Sequence, residues 1–482
     1  MSCTNLLVIE GAIGINWGRQ NAQRLIPSVV VDLLLQNRVP AARIFSTETD
    51  ILEAFAGSGI NLAITIYDVD EVATYEDARA WVDRRSAWFS PSNITRVYVG
   101  DQMFASALND TTLQNNAIDM LNNTQRALNA AGFSHVKATM SHPFSVLNNQ
   151  FTRPSEAEIN VLVHEQFVRY LDIVKASGAP VCINLFPIEI MRALGIHDID
   201  FAFADNRSTH VVTDIGGAVY TNAFEFIYDA FAWALEKVGA HDVEVVVTQI
   251  GWPTDGYPNA SATNAERFYK ALLPLVSGGR GTPKRPGKHI DVYVHALTDE
   301  NKYPPDRPYG RHWGIYRSNG EPKYRVDLTG QGRDVLPARA REINRMPERW
   351  CVLDPSLEDD ERVEAEYRVA CGGGDCTSMY TGGSCSGLDR WQNVSYAFNM
   401  YFQAKFQDEK ECEFGGLGQV VTADPSTGGC MFPVEVVKGQ QKNYSPKLAD
   451  GSGVHEVPGS DMILVILVST LAIFCCVIQL VG

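Results

Sequence analysis

The chain has 482 residues, of which 45% are hydrophobic, so its length suits one large and one small globular domain. Its formal net charge is −16, and no stretch concentrates Lys or Arg into a stripe. This charge distribution argues against binding to a phosphate backbone, so we expect no nucleic-acid partner. A neutral polymer is compatible with it.

Short β-branched runs alternate with longer amphipathic segments over the first 330 residues. We predict eight strands, at Ala12–Trp17, Ala42–Ser46, Leu62–Tyr67, Arg96–Asp101, Val136–Met140, Val181–Phe186, Val243–Gln249 and Ile290–Leu297. Strands that alternate with helices indicate a parallel sheet with crossover connections. Eight such units predict an α/β fold, a closed (β/α)8 TIM barrel over residues 11–328.

Two of the segments between strands have apolar residues at helical spacing. Residues 222–238 include Phe224 and Phe231 on one face, and Gly239 behind them favours a helix C-cap. Residues 77–89 repeat the pattern with two Trp. We predict that these aromatic side chains pack against the barrel and do not contact a ligand.

A second region follows the predicted barrel. Residues 329–349 are rich in charge and include two prolines, which predicts a linker. An even set of six cysteines then predicts a disulfide framework and an oxidising compartment: Cys351, Cys371, Cys376, Cys385, Cys412 and Cys430. Zinc ligation is the competing interpretation, but no C-x-x-C pair is present. We predict a small disulfide-rich α+β module at residues 350–434, for which the sequence alone permits fifteen pairings.

Sequons of the N-x-S/T type favour a secreted glycoprotein. They lie at Asn93, Asn109, Asn122, Asn206, Asn259, Asn393 and Asn443. Residues 1–10 have neither a charged n-region nor a full apolar h-region, so no signal peptide is evident there. Our hypothesis is that the natural start of the chain lies upstream.

The C-terminal residues 462–482 are nearly all apolar. A polar stalk at residues 435–461 precedes them and contains the small residues Gly451, Ser452 and Gly453. A small-residue site, a polar spacer and an apolar tail predict a GPI-attachment signal, and hence a place on the outer face of the plasma membrane. A plain transmembrane anchor is the alternative, because the tail is long enough to span a bilayer.

Two of the predicted barrel strands run into a polar residue. The fourth strand leads into Gly100-Asp101-Gln102, and the seventh ends at Gln249, just before Gly251-Trp252-Pro253. A (β/α)8 barrel delivers side chains from such strand ends to the mouth of its active site. Gln102 and Gln249 are therefore candidate site residues.

Several strings in the barrel region together resemble plant glycoside hydrolase family 17, the endo-1,3-β-glucanases. They are Ile13-Gly14-Ile15-Asn16-Trp17-Gly18, Tyr220-Thr221-Asn222, Gly251-Trp252-Pro253, Gly281-Thr282-Pro283-Lys284-Arg285-Pro286, Asp299-Glu300-Asn301 and His312-Trp313-Gly314. In the second region, two strings resemble carbohydrate-binding module family 43, a β-1,3-glucan binder. They are Trp350-Cys351 and Asn393-Val394-Ser395-Tyr396-Ala397-Phe398-Asn399.

The resemblance implies that position 102 is the place of the general acid/base and position 249 that of the nucleophile, both Glu in the family. Gln102 and Gln249 carry amides instead. A retaining glycosidase needs two carboxyl groups about 5 Å apart. An amide neither protonates a leaving oxygen at neutral pH nor forms a glycosyl-enzyme. We therefore expect hydrolysis to be impaired or lost.

Other positions at the predicted barrel mouth also depart from the family: Phe45 and Phe186 stand where Tyr is usual, and Gly310 stands where Glu is usual. Asp101, where the family has Asn, and Glu300 are conceivable surrogate carboxylates. Asp is shorter than Glu and starts from a neighbouring backbone position, which argues against rescue because near-attack geometry is strict. The favoured interpretation of Glu300 is a hydrogen-bonding partner for a cation such as Lys302.

The residues expected to line a glucan site are Trp17, Phe45, Phe186, Trp252 and Lys302. For Trp252, packing under the strand end is an equal alternative. His295 and His312 have no evident catalytic partner in the sequence, so we predict structural roles for them. For the module, the resemblance implies the disulfides Cys351–Cys412, Cys371–Cys430 and Cys376–Cys385.

Together these features predict a GPI-anchored, cell-wall-facing protein that binds β-1,3-glucan (callose) and hydrolyses it poorly or not at all. One alternative is an active endo-1,3-β-glucosidase that uses Asp101 or Glu300. Another is a structural or adhesion protein in which only the C-terminal module binds glucan. We expect a monomer without cofactor or metal, attached to one polymer by barrel and module with an avidity set by the linker.

Overall fold

The computed structural model describes residues 13–148, 150–303, 310–357 and 360–437. The predicted GPI site, the apolar tail, the sequon at Asn443 and the start of the chain lie outside these residues. Within the described ranges, no helix combines the length and the apolar character that crossing a membrane requires.

The described strands are β1 (Ile13–Trp17), β2 (Ala41–Ile44), β3 (Asn61–Ile66), β4 (Ile94–Val99), β5 (Lys137–Thr139), β6 (Ser141–His142), β7 (Val181–Leu185), β8 (Val212–Thr213), β9 (Val219–Tyr220), β10 (Val245–Ile250), β11 (Val292–Val294), β12 (Trp350–Leu353) and β13 (Gly418–Val421). Nine of them form one parallel sheet in the order β5-β4-β3-β2-β1-β11-β10-β7-β6. The strands β8 and β9 form a small antiparallel pair outside the barrel.

The sheet closes on itself. Its two end strands, β5 and β6, are separated in the chain by Met140 alone, while β5 pairs with β4 and β6 pairs with β7. They are therefore two pieces of one interrupted strand, and the ring has eight strands. This arrangement confirms the predicted (β/α)8 barrel.

The helices are α1 (Pro27–Gln36), α2 (Thr49–Phe55), α3 (Tyr75–Phe89), α4 (Met103–Ser106), α5 (Thr111–Ala130), α6 (His164–Ser177), α7 (Pro187–Ala193), α8 (Ala223–Lys237), α9 (Ala262–Ser277), α10 (Asp360–Gly373) and α11 (Arg390–Ala404). Local chemistry explains several of their ends. Thr74 and Asp77 form a capping box at the start of α3, and the Asn222 side chain accepts from the Glu225 N–H at the start of α8. Gly239 follows α8 with φ 72°, as predicted for a C-cap.

The barrel strands are buried on both faces, because helices cover the outside and side chains fill the inside. Strands β1, β2, β7 and β10 are buried along their whole length. Trp81 in α3 and Phe231 in α8 are fully buried, which confirms the packing role predicted for the helix aromatics. Each such side chain stabilises the fold by roughly 1.5–3 kcal/mol.

The six-cysteine module consists of α10, α11 and the antiparallel pair β12–β13. Its core includes Phe398 and Phe414, whose rings stack with centroids 3.8 Å apart. The predicted disulfide Cys351–Cys412 is correct, and the other two predicted pairings are wrong. The structure joins Cys371 to Cys376 and Cys385 to Cys430. Helix α10 ends at Gly373 and the chain then reverses, which brings Cys376 back to Cys371 with a Cα distance of 5.4 Å.

Residues 329–349, predicted to be a linker, run along the barrel surface. The Ala338 N–H donates to Asn37 Oδ1 at 2.9 Å, and the Tyr316 hydroxyl donates to the Ala338 carbonyl at 2.9 Å. The Ala340 N–H donates to the Gly320 carbonyl at 3.1 Å. The segment is therefore not the free tether on which the expectation of linker-controlled avidity depended.

Candidate functional site

A cavity of about 940 Å³ opens at the carboxyl ends of the barrel strands, where barrel enzymes place their sites. We call this cavity the cleft. Side chains from the ends of β2, β4, β7, β10 and β11 line it: Phe45, Asp101, Gln102, Asn184, Phe186, Gln249 and His295. Gly310 and Glu300, from the loops after β11, complete the wall.

The two glutamines predicted from the strand ends both face the cleft. Gln102 lies between β4 and α4 in the left-handed backbone region, with φ 53°. Its backbone N–H donates to Ser141 Oγ at 3.4 Å, and among the described residues its side-chain amide has no hydrogen-bond partner. Gln249, at the end of β10, is 4% exposed, and its amide is already engaged.

Asp101 is the centre of a compact polar cluster on the cleft floor. Three donors converge on its Oδ1 atom: Arg43 Nη2 at 3.0 Å, Ser141 Oγ at 2.7 Å and Gln249 Nε2 at 3.1 Å. The guanidinium of Arg43 is fully buried and lies over the rings of Phe45 and Tyr98. Asp101 is therefore the counter-ion of a buried cation, and Gln249 is held as a donor to it.

Glu300 is a buried carboxyl group that faces the cleft. Burial raises its pKa to about 7, against the lowering effect of the Gln20 N–H, which donates to Oε1 at 2.8 Å. The predicted partner Lys302 is exposed, does not line the cleft, and forms no ion pair with Glu300 within the described ranges, so this prediction is wrong. A side chain at Gly18 would overlap the Glu300 carboxyl, which explains the glycine there.

Several buried polar atoms in the cleft wall have no partner in the described protein. They are Arg19 Nε, Thr65 Oγ1, Asn184 Nδ2 and His295 Nδ1. Asn184 Oδ1 accepts from Thr248 Oγ1 at 2.8 Å, so the oxygen end of the amide is engaged and the nitrogen end is not. An unpaired buried donor or acceptor costs about 1–3 kcal/mol, and these atoms lie behind the cleft surface, out of reach of a ligand in the cavity. The sequence analysis missed Thr65 and Asn184, although both lie at or next to a strand end.

The aromatic wall of the cleft differs from the prediction. Phe45 and Phe186 line it as expected, but Trp17 and Trp252 are core residues at 3% and 0% exposure. Trp252 packs between Phe203 and Phe268, because the chain after β10 turns its indole outward under the helices. Trp313 takes its place in the cleft wall, with its ring 4.9 Å from that of Phe186.

His295 was predicted to be structural, yet it forms part of the cleft wall between Phe186 and Trp313. Burial lowers the pKa of His295 to about 4, so the ring is neutral at physiological pH. At Gly310, a side chain would overlap the ring of Tyr303, so the glycine lets this aromatic ring lie against the backbone.

The loop beside the cleft also contacts the module, and we call this contact the barrel–module interface. Arg311 Nη1 donates to Asp375 Oδ1 at 2.9 Å, and His312 Nε2 lies 2.8 Å from Thr377 Oγ1. Burial alone would raise the pKa of Asp375, but His312 and Arg311 hold it below its ordinary value. The Arg311 carbonyl also accepts from the Glu300 N–H at 2.9 Å. The same short loop therefore holds the module and the cleft wall, which gives His312 the structural role predicted for it.

Comparisons with known proteins agree with this arrangement. The model of "Glycosyl hydrolases family 17" matches residues 13–328, and that of the "X8 domain" matches residues 349–419. "Glucan endo-1,3-beta-glucosidase 8" of Arabidopsis thaliana is 33% identical over 450 residues, which cover 92% of each chain. "Glucan endo-1,3-beta-glucosidase 5" of the same plant is 32% identical over 440 residues, which cover 89% of each chain.

Solved structures give the same result for the barrel. "CJP38, a beta-1,3-glucanase and allergen of Cryptomeria japonica pollen" aligns with a TM-score of 0.62 and 27% identity, covering 66% of this chain and 98% of that one. The chain therefore belongs to glycosyl hydrolases family 17, with an X8 domain behind the barrel.

Proposed function

We propose that this protein binds β-1,3-glucan in the barrel cleft and has lost hydrolysis by double displacement. The observation that carries the proposal is the chemistry of the two strand-end positions, Gln102 and Gln249, which bring amides and no carboxyl group to the cleft. Gln249 is in addition committed as a donor to Asp101. Loss of acid/base assistance alone costs about 10²–10⁴-fold in rate, and an amide forms no glycosyl-enzyme.

The case for retained binding rests on the cleft wall. The side-chain amide of Gln102 and the Oδ2 atom of Asp101 face the cleft without a partner among the described residues, and they match the hydroxyl groups of a sugar, which both donate and accept. Phe186 and Trp313 add apolar ring surface, and Tyr67 on the rim is 69% exposed. The relatives are named as endo-1,3-beta-glucosidases, and this is our reason for proposing β-1,3-glucan as the ligand.

The active-enzyme alternative has one observation in its favour. Glu300 faces the cleft with a pKa of about 7, a value that suits a proton donor at neutral pH. Asp101 is a weak candidate for the second role, because its Oδ1 atom is bound by three donors, one of them a cation. We therefore keep hydrolysis through Glu300 as an outcome that the test can reveal.

The test uses the full chain with a linear β-1,3-glucan. Reducing ends measure hydrolysis, and calorimetry with defined oligosaccharides measures binding. We expect binding without release of reducing ends. Gln102→Leu, which removes an unpaired side-chain amide from the cleft, should weaken binding by roughly 2- to 10-fold. Gln36→Leu is the matched control, because the Gln36 amide donates to Asp32 Oδ2 on α1 and does not line the cleft.

Each other outcome has a definite meaning. Hydrolysis by the natural chain that disappears in Glu300→Gln would contradict the proposal and establish the active-enzyme alternative. Tight glucan binding that is identical in Gln102→Leu and Gln36→Leu would leave the X8 module as the binder, with the barrel as a spacer.

The cell-surface part of the proposal comes from the sequence. Secretion agrees with sequons whose Asn side chains are exposed: Asn93, Asn109, Asn122, Asn206 and Asn259. Asn393 is half-buried, and its amide donates to the Leu388 carbonyl. A GPI lipid at residues 451–453 would place cleft and module next to wall polysaccharide. Release of the protein from cells by a phosphatidylinositol-specific phospholipase tests this anchor, and retention would favour a transmembrane anchor.

A further inference from the structure

The two oxygens of Asp101 have different surroundings. Oδ1 accepts all three hydrogen bonds, from Arg43, Ser141 and Gln249. No hydrogen bond from the described residues ends on Oδ2, and the side chain is 23% exposed in the cleft. The protein therefore fixes one oxygen of the carboxylate and leaves the other open to the cavity.

We propose that Asp101 is the charged ligand contact of the cleft and that Gln249 is its fixed amide donor. Residues 101 and 249 then form an interlocked carboxylate–amide pair, which can be changed only together. The ligand part rests on the proposed function, because sugar hydroxyls are the donors that Oδ2 would accept. Hydrogen bonds to a charged oxygen are roughly twice as strong as neutral ones, so this contact would outweigh those of the neutral cleft residues.

The buried Arg43 determines how many negative charges the pair must carry. Its Nε and Nη1 atoms have no acceptor in the described protein, so its charge is offset mainly through Nη2 and Asp101. With amides at both positions, a buried cation would lose its counter-ion. With carboxylates at both positions, two anions would meet at about the 3.1 Å now spanned by the hydrogen bond. One carboxylate and one amide give Arg43 its counter-ion and let the side chains at positions 101 and 249 bond to each other.

A thermal-unfolding cycle on the full chain tests the pair without any ligand. It compares the natural chain with Asp101→Asn, Gln249→Glu and the combined variant at several pH values. We expect each single change to lower the unfolding midpoint and the combined variant to recover most of the loss. In Gln249→Glu the loss should grow as pH rises, because repulsion requires both carboxyl groups to be ionised. Midpoint losses that simply add in the combined variant would overturn the interlocked pair.

Glucan binding tests the ligand role separately. Asp101→Asn should weaken oligosaccharide binding by about tenfold. Asp229→Asn is the matched control, because it changes a buried carboxyl group that is held by Tyr220 and Thr282 outside the cleft. It should lower stability but not affinity. Equal affinity of the two variants would overturn the ligand role of Asp101. Absence of binding by every protein, the natural chain included, would contradict the proposed function, and the unfolding cycle would still decide the pair.

Discussion

The cleft and the barrel–module interface lie on either side of one loop, and each has a carboxylate that pairs with a buried Arg. In the cleft, Asp101 accepts hydrogen bonds through Oδ1 alone, and its side chain is 23% exposed. At the interface, Asp375 is 4% exposed, and Arg311 and Thr377 both donate to its Oδ1 atom. The direction of a pKa shift follows the partner and not the region: burial raises the pKa of Glu300 in the cleft and of Glu435 at the interface to about 7, whereas His312 and Arg311 hold that of Asp375 below its ordinary value.

This contrast shows how the role of a polar group can be inferred from the partners around it. At the interface, polar groups of the barrel and of the module bond to each other, as Ser384 does to Asp255 and Ser318 to Glu435. These bonds hold two parts of one protein together. In the cleft, Asp101 keeps one carboxylate oxygen without a hydrogen bond from the described residues and open to the cavity. An accessible oxygen without a partner therefore favours a ligand contact, and an enclosed, paired one favours a structural role.

The largest expected effect is a gain of hydrolytic activity in the cleft. The variant Asp101→Asn, Gln102→Glu, Gln249→Glu has two carboxyl groups at the strand ends and keeps a single charge in the pair at positions 101 and 249. We expect its rate of reducing-end release from β-1,3-glucan to exceed that of the natural chain by at least about 10²-fold. Gln102→Glu with Gln249→Glu alone should gain less, because Asp101 would then repel the new nucleophile.

Unfolding midpoints and glucan affinity of both variants serve as controls for an intact cleft. A triple variant that folds, binds glucan and stays silent would show that the amides are not what prevents hydrolysis.

At the interface, Asp375→Ala should have the largest effect on stability. The change leaves the guanidinium of Arg311 buried without its counter-ion, which costs about 3–5 kcal/mol. Chemical denaturation of the full chain measures the free energy of unfolding. Glu364→Ala is the control, because Glu364 forms an exposed pair with Arg368 on α10 and should change stability by no more than about 0.5 kcal/mol. Equal losses in the two variants would contradict the distinction drawn between interface and surface.

A smaller effect concerns the pH dependence of the cleft. The folded pKa of Glu300, about 7, lies above its ordinary value of 4.5, so the native state binds more protons between these values. Stability should therefore fall as pH rises through this window, by up to roughly 3 kcal/mol for this group. Glu300→Gln should remove that share of the slope. Denaturation midpoints of the two proteins between pH 4 and pH 8 measure it, and parallel curves would refute the effect.

The barrel and the position of its site could be predicted because they depend on local patterns. Short β-branched runs gave all eight strands, and the polar residues at two strand ends, Gln102 and Gln249, do meet in one cleft. Parallel strands bring their carboxyl ends to the same edge of the barrel, so the position of a residue along its strand is enough to predict whether it lies at the site. The interruption at Met140 changed the pairing of neither neighbour.

The errors came from contacts between residues far apart in sequence. Whether Trp252 points into the cleft or under a helix depends on the turn after β10, and the sequence left both open. The cysteine pairing depended on the chain reversal after α10, and the role of Arg311 depended on a carboxyl group 64 residues later. Such choices follow from the assembled fold and have no periodic signal.

The bonds between Ala338 and the barrel, and those across the interface, have a practical consequence for proteolysis. A protease that cut the backbone once between residues 329 and 349 would not set the X8 domain free. The two fragments would stay associated under native conditions and separate only in denaturant. Domain boundaries that look natural in the sequence are therefore poor places to divide this protein.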